Sequence, residues 1–350
     1  MGWKNPPIPW SEYERLLSGS SKPGDGSIAP VFPEHVAVVP GVDEDDVVDY
    51  AELHVHSSFS FLDGVSSPES LVREAARLKL SAMALTDHDG LYGVARFAEA
   101  AQTHGVPTVF GAELSLAPQT LRTNVTDPPG PHLLVLARGP EGYHRLAGAL
   151  TDAHLKSEEK GEAHYDWDDL ADRAQDHWLI LTGCRKGTVR APLQGPRAPG
   201  ASAIERSATA LDELVSRFGA EAVVVELFDS GHPLDGLHND ILNGLAAERG
   251  LPTIATGLVH YATRDKHRLA HAMAAVRARR SLDEMYGYLP VAPTSHLRSG
   301  AEQLRRFRRY PGAVERAGAL GRELAFSLNR QALVPEHPRA QQRRGIGESV

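Results

Sequence analysis

One alternation along the chain limits the fold more than any other feature. From residue 51 onward, short apolar runs are separated by longer stretches with helical periodicity. Alternating strands and helices favour a mostly parallel sheet, and seven such units suit its closure into a barrel. The predicted fold is therefore an α/β, seven-stranded TIM-like barrel. Its strands are the runs AELHVH, SAMALTDH, TVFGAEL, LLVLA, WLILTG, VVVEL and TIATG.

The cysteine content and the apolar residues of the sequence indicate the cellular location of the protein. Cys184 is the single cysteine, so an internal disulfide is excluded. The N-terminus lacks the features of a signal peptide, and no run of 18 apolar residues occurs. We therefore expect a cytoplasmic protein without a membrane partner.

The charge is unevenly distributed, with a basic C-terminal stretch. Residues 261–350 hold 17 Lys and Arg against 8 Asp and Glu, whereas the rest of the chain is acidic. Such a stretch can contact a phosphate backbone, but no aromatic stacking pattern accompanies it. A solvated helix face is the preferred interpretation, so we expect DNA binding by this chain to be weak or absent. The stretch includes Arg305, Arg306, Arg308 and Arg309.

Side chains that commonly bind metal ions stand at the ends of the predicted strands. The first run ends in His54 and His56, which project from the same face because side chains of a strand alternate. His88 ends the second run and Glu113 ends the third. Barrel sites form where parallel strands finish, and this convergence indicates a metal site, although any one of these residues alone would be an ordinary polar terminus. Asp63, Cys184 and His260 follow the first, fifth and seventh runs, whereas His132 fits less well because it precedes its run.

Six segments, HVHSSFSFLDG, ALTDHDGLYG, FGAELSL, PHLLVLA, LTGCRKG and VHYA, resemble the successive motifs of the polymerase-and-histidinol-phosphatase (PHP) superfamily. Two longer segments, TDHDGLYGVARFAEAA and GPHLLVLARGPEGY, are similar to error-prone, alpha-subunit-type DNA polymerases of the bacterial C family. The resemblance implies the PHP fold, a distorted seven-stranded (β/α) barrel. It also implies a metal-ligand set of His54, His56, Asp63, His88, Glu113, His132, Cys184 and His260.

One position departs from the superfamily pattern. Members with an intact cluster carry an Asp two residues before the last histidine, whereas this chain has Leu258 at that distance from His260. An apolar side chain cannot bind a metal ion. We therefore expect a weakened cluster, which suits a structural role.

The ligand types favour particular ions. Imidazoles, carboxylates and one thiol favour Zn²⁺ or Mn²⁺ over Mg²⁺, and we expect two or more ions. Such ions promote hydrolysis of phosphate esters by acidifying water. Asp87 is a candidate partner that fixes an imidazole tautomer, with helix capping as the alternative. Arg185 and Lys186 are candidates for gripping a substrate phosphate, with ordinary surface charge as the alternative. No catalytic residue is assigned.

The resemblance divides the chain into four parts. Residues 1–49 are an N-terminal extension and linker, 50–285 the metal-binding barrel, 286–330 the start of a polymerase-type helical region, and 331–350 an atypical, disordered tail. The resemblance implies DNA synthesis past lesions for a full-length polymerase, with DNA and replication or repair proteins as partners. Because the palm domain is missing, we expect a truncated or frameshifted polymerase whose metal domain mainly scaffolds. A free-standing PHP phosphoesterase and a non-catalytic, metal-stabilised interaction module are the alternatives.

Overall fold

A computed structural model describes residues 47–116, 130–157, 162–285, 288–290 and 292–328. Within these ranges, all seven predicted runs contribute strands to one sheet, ordered as in the chain. Residues 1–46 of the predicted extension (1–49) and all of the predicted tail (331–350) lie outside the described residues. The strands are β1 (Ala51–Glu52), β2 (Ala82–Leu85), β3 (Thr108–Ser115), β4 (His132–Ala137), β5 (Trp178–Leu181), β6 (Val223–Phe228) and β7 (Thr253–Thr256).

The sheet is parallel except at one strand. β4 runs antiparallel to both β3 and β5, and every other neighbouring pair is parallel. Beyond β1 and β7, a parallel bridge joins Val55 to Val259, and the Val259 amide donates a hydrogen bond of 2.9 Å to the carbonyl oxygen of His54. These contacts bring the first and last strands together. The predicted seven-stranded barrel is confirmed, and the reversal of β4 was not predicted.

The helices begin and end where local chemistry favours it. The first begins after Ser67, whose hydroxyl accepts a hydrogen bond from the Ser70 amide, and Pro68 occupies its first position. Among the described helices, none has the length and apolar character needed to cross a bilayer. Their bounds are α1 (Pro68–Arg77), α2 (Val94–His104), α3 (Gly139–Leu155), α4 (Trp167–Ala174), α5 (Ala201–Phe218), α6 (Asp235–Glu248), α7 (His267–Ala278), α8 (Gly300–Arg306) and α9 (Ala313–Leu324).

Helix α9 packs over the N-terminal end of the barrel. Gly321 lies so close to β1 that a methyl group there would be 2.2 Å from the Ala51 Cβ atom. Arg316 Nε donates a hydrogen bond of 2.7 Å to the carbonyl oxygen of Thr253. Ala51 and Thr253 are the first residues of β1 and β7. Because this helix occupies the end where strands start, the opposite end is left for a site.

Part of the basic stretch is used to attach helix α8 and the following turn to the barrel. Arg306 Nη2 lies 2.8 Å from Asp229 Oδ2, and Arg309 Nη2 lies 2.5 Å from Asp240 Oδ2. These two arginines neutralise barrel carboxylates, so they add less to a basic face than the sequence alone indicates. Weak DNA binding and the domain boundary at residue 285 remain predictions.

We expect Gly321→Ala to lower the free energy of unfolding by about 1–3 kcal/mol, because the new methyl group overlaps β1 and forces α9 outward. Gly244→Ala is the matched control, since Gly244 is an exposed position of α6 with no atom within 4 Å of the new methyl group. In the control, the free energy of unfolding should rise by about 0.5–1 kcal/mol, because Ala has a higher helix propensity than Gly. Urea unfolding measures both, and a stabilised Gly321→Ala protein would contradict the described packing.

Candidate metal centre

The predicted ligands meet at the end of the barrel where the parallel strands finish. The stacked rings of His56 and His88, which follow β1 and β2, have centroids 4.6 Å apart. Every predicted ligand has a side-chain nitrogen, oxygen or sulfur atom within 3.6 Å of such an atom of another predicted ligand. The structure therefore brings together all eight: His54, His56, Asp63, His88, Glu113, His132, Cys184 and His260.

His132 joins this group because β4 runs against its neighbours. It is the first residue of β4, and the antiparallel register pairs it with Ser115, the last residue of β3. The start of β4 therefore lies beside the finish of β3. His132 Nδ1 lies 3.2 Å from Glu113 Oε1 and 3.6 Å from Cys184 Sγ. His132 was an uncertain ligand because it precedes its apolar run instead of following it. In a strand that runs in the opposite direction, the first residue is the one that lies at the mouth of the barrel.

Three ligand atoms already have the spacing of a metal site. His54 Nε2 and His56 Nε2 face each other at 3.2 Å, and Glu113 Oε2 lies 3.3 Å from His56 Nε2 and 3.7 Å from His54 Nε2. In a tetrahedral zinc site with bonds of about 2.0–2.1 Å, neighbouring ligand atoms are about 3.3–3.4 Å apart. These atoms therefore match one face of a coordination tetrahedron.

Two further groups of side chains share ligands with the first. His56, Asp63 and His88 offer atoms within 4.8 Å of one another, and so do His88, Glu113 and His132. Because each group shares a member with the others, ions bound at two of them would be close neighbours. The three groups therefore form one connected set of metal-type ligands.

The electrostatics around Glu113 also fit a bound cation. Glu113 is 1% exposed, and its Oε1 atom has no hydrogen-bond partner of good geometry among the described residues. Burial raises the pKa of Glu113, but His132 and the other imidazoles outweigh this effect and hold the pKa well below its usual value. Burial lowers the pKa of His56 to about 3, which keeps its ring neutral. An ionised carboxylate beside a neutral imidazole is a suitable pair of metal ligands.

Comparison with known proteins identifies the fold and the relatives of the chain. The PHP domain model matches residues 52–230, which is more than half of the chain. The chain belongs to the PHP domain family. The predicted resemblance is therefore confirmed, and the cluster described above lies at the barrel mouth of a PHP domain.

Two sequence relatives align with nearly the whole length of this PHP domain chain. It is 47% identical to the error-prone DNA polymerase of Nocardia farcinica and 51% identical to that of Mycobacterium bovis, each over 97% of the chain. These matches cover 33% and 31% of the relatives, so the chain spans about a third of their length. A solved amidohydrolase structure from Chromobacterium violaceum, 18% identical with a TM-score of 0.40, covers 60% of this chain and 87% of its own.

Glu226 is a member of the PHP site that the sequence reasoning missed. This residue of β6 is fully buried, and its Oε1 atom lies 2.8 Å from His54 Nδ1 and accepts a hydrogen bond from the Thr256 hydroxyl. A carboxylate on the far nitrogen of a metal-binding imidazole fixes the tautomer and leaves Nε2 facing the ion. Burial lowers the pKa of His54, but the carboxylates of Glu226 and Glu113 raise it to about 10, so a metal ion that binds Nε2 displaces a proton. The available signal was a charged residue inside the apolar run VVVEL.

Asp87 is connected to His56 through the hydroxyl of Ser60. The Ser60 hydroxyl donates to Asp87 Oδ1 at 2.7 Å, and Ser60 Oγ lies 3.2 Å from His56 Nδ1. With its hydrogen used by Asp87, Ser60 Oγ is available to accept the His56 Nδ1 hydrogen, which leaves Nε2 for a metal ion. Asp87 also accepts hydrogen bonds of 2.7 Å from the amide and from the hydroxyl of Ser57. Its role in fixing a tautomer remains a prediction.

The two predicted phosphate contacts lie just beyond β5. The Lys186 amide lies 3.4 Å from Cys184 Sγ, and the Lys186 carbonyl oxygen accepts a hydrogen bond from the His132 amide at 3.0 Å. The backbone of this segment therefore positions two ligands. Arg185 is exposed and Lys186 is half-buried. Phosphate binding by their side chains remains a prediction.

Leu258 lies beside the ligands without being able to act as one. It packs in a small apolar cluster with Cys184 and Phe228, apart from the main core. Its φ angle of 48° is in the left-handed region, which Asp and Asn adopt more readily than Leu. The backbone at this position therefore suits Asp, and the apolar side chain of Leu258 packs next to the thiol.

We expect Glu226→Gln to weaken metal binding about 10- to 100-fold, because the amide keeps the shape but loses the charged acceptor for His54. Competition with a chelator of known affinity measures the change. Glu52→Gln is the control: Glu52 is also fully buried, but its carboxylate accepts hydrogen bonds from the Tyr50 hydroxyl and from the backbone amides of Gly257 and His54, and the His54 ring is bound by Glu226 instead. Equal loss of affinity in both variants would show that only general destabilisation was measured.

Proposed function

We propose that this chain is the metal-binding PHP portion of an error-prone, translesion DNA polymerase, in which the metal cluster mainly stabilises the fold. One observation carries the proposal. Over 97% of its length, the chain is 47% and 51% identical to two proteins named error-prone DNA polymerase. We assign DNA synthesis to the part of such polymerases that this chain does not match. DNA and replication or repair proteins are the proposed partners of a full-length polymerase in the cytoplasm, and DNA binding by this chain is weak or absent.

We assign Zn²⁺ or Mn²⁺ to the cluster, with at least two ions. Imidazole nitrogens and a thiol are preferred by these ions, whereas Mg²⁺ prefers an all-oxygen shell with several waters. His54, His56 and Glu113 supply the group with the best spacing for a first ion. His132 and Cys184 extend the ligand set on the β4 side.

The scaffold role predicts that metal ions hold the strand ends together. The purified protein should copurify with more than one equivalent of zinc or manganese, and chelation should lower its thermal unfolding midpoint, because metal binding is coupled to folding. Replacing His54 and His56 together with alanine should reproduce the effect of chelation. The protein should not extend a primer on a DNA template.

Elemental analysis, thermal unfolding and a primer-extension assay test these expectations. A metal-free protein whose unfolding midpoint is unchanged by chelation would contradict the scaffold role. Template-dependent nucleotide incorporation by a preparation free of contaminating polymerase would contradict the assignment of synthesis elsewhere.

The openness of the cluster favours hydrolysis of phosphate esters as a second candidate function. Glu113 and His54 are buried, but His88 and Asp63 are each 25% exposed, so a small substrate can reach that side. Metal ions bound there would acidify water and neutralise charge on a phosphate ester. Arg185 and Lys186 are the proposed phosphate contacts. A third candidate, a non-catalytic interaction module, requires metal retention without any hydrolysis.

A substitution of Leu258 distinguishes the scaffold role from the hydrolytic role. We expect the natural protein to hydrolyse p-nitrophenyl phosphate very slowly or not at all, and Leu258→Asp to raise both metal occupancy and turnover, because it adds an anionic ligand beside Cys184. Metal content and turnover would be compared for the two proteins.

Leu258→Asn is the matched control, since Asn tolerates the same left-handed backbone without adding a charge. It should leave metal occupancy and turnover near those of the natural protein. If the natural protein already hydrolyses the ester as fast as Leu258→Asp, then Leu258 does not stand in the place of a missing ligand.

A further inference from the structure

The two sides of the cluster differ in the charge that surrounds them. On one side, His54, His56 and Glu113 are buried together and have the spacing of a metal site. On the other side, the guanidinium of Arg277 reaches Asp63. Arg277 Nη1 lies 2.9 Å from Asp63 Oδ1. A fixed positive charge is therefore already in contact with one of the predicted metal ligands.

The two oxygen atoms of Asp63 face different groups. Oδ2 lies 3.1 Å from His260 Nδ1 and 3.5 Å from His88 Nε2, whereas Oδ1 binds Arg277. The same Arg277 nitrogen also donates a hydrogen bond of 3.3 Å to the carbonyl oxygen of Leu62. This second contact holds the guanidinium against the loop that carries Asp63.

Arg277 comes from the last turn of helix α7, which is not part of the barrel sheet. Asp63, His260 and Arg277 are 25%, 21% and 23% exposed, so dissolved ions can reach this side of the cluster. A metal ion bound through Asp63 would share the carboxylate with a guanidinium. Like charges on one carboxylate repel each other, and each weakens the binding of the other.

We propose that Arg277 is a built-in cation that competes with metal ions for Asp63. The competition makes metal binding at Asp63, beside His88, weaker than metal binding at the subsite formed by His54, His56 and Glu113. The proposal rests on the metal binding proposed above and adds an order to it. The buried subsite fills first, and the Asp63 subsite fills only at higher metal concentration.

The test measures Mn²⁺ binding to the metal-depleted 350-residue protein, by calorimetry and by the electron paramagnetic resonance signal of free Mn²⁺. The natural protein should show a tight and a weak class of sites. Arg277→Gln should tighten the weak class about tenfold or more, because one positive charge is removed from beside Asp63. The tight class should change little.

Two variants separate charge from shape. Arg277→Lys keeps the positive charge and should bind Mn²⁺ like the natural protein. Arg268→Gln removes an exposed charge from the same helix and should also leave both classes unchanged. In a protein that already carries Asp63→Asn, the further change Arg277→Gln should have no effect on Mn²⁺ binding, because the shared carboxylate is gone.

The outcomes distinguish this proposal from the one on which it rests. If Arg277→Gln binds Mn²⁺ with unchanged or lower affinity, Arg277 orients Asp63 for the metal and the competition is refuted. Equal tightening by Arg277→Lys would also refute it. If none of the proteins binds Mn²⁺, or Zn²⁺ in a parallel titration, the proposed metal centre itself is wrong. Circular dichroism of each variant shows whether it is folded.

Discussion

A buried carboxylate surrounded by imidazoles is the interaction on which the site depends. Glu113 Oε2 lies within 3.7 Å of ring nitrogens of His54, His56 and His88, and its Oε1 atom faces His132. An ionised carboxylate is very costly to bury unless opposite charge and hydrogen bonds compensate. The imidazoles that follow β1 and β2 and the one that begins β4 supply this compensation, and in the proposed scaffold role a cation at this point adds to it.

The two ends of the barrel are stabilised by different physics. At the end where strands start, Gly321 allows helix α9 to approach β1 closely, and apolar packing fills the space. At the other end, polar side chains replace that packing: Glu226 contacts the ring of His54, and Ser60, which donates to Asp87, contacts the ring of His56. Removing metal should thus loosen one end while the packed end persists.

Two residues limit the negative charge of the cluster. Leu258 places an apolar side chain beside Cys184, and Arg277 places a positive charge on Asp63. Leu258 adds no charge where a carboxylate would, and Arg277 neutralises part of the charge of Asp63, whereas His54, His56 and Glu113 keep the spacing of a metal site. A cluster that keeps its structural part and loses charge on its open part suits a scaffold better than a hydrolytic enzyme.

The sequence by itself determined the strands, the barrel and most of the side chains that meet at the candidate metal centre. Apolar runs reveal burial, and the alternation of side chains places His54 and His56 on one face, because these properties depend only on neighbours along the chain. Only the tertiary structure decided the direction of β4, and with it the place of His132. It also decided that Glu226 binds His54 across 172 positions and that Arg277 binds Asp63 across 214. A local pattern shows that a polar residue is buried or exposed, but its partner is chosen by the folding of distant segments against each other.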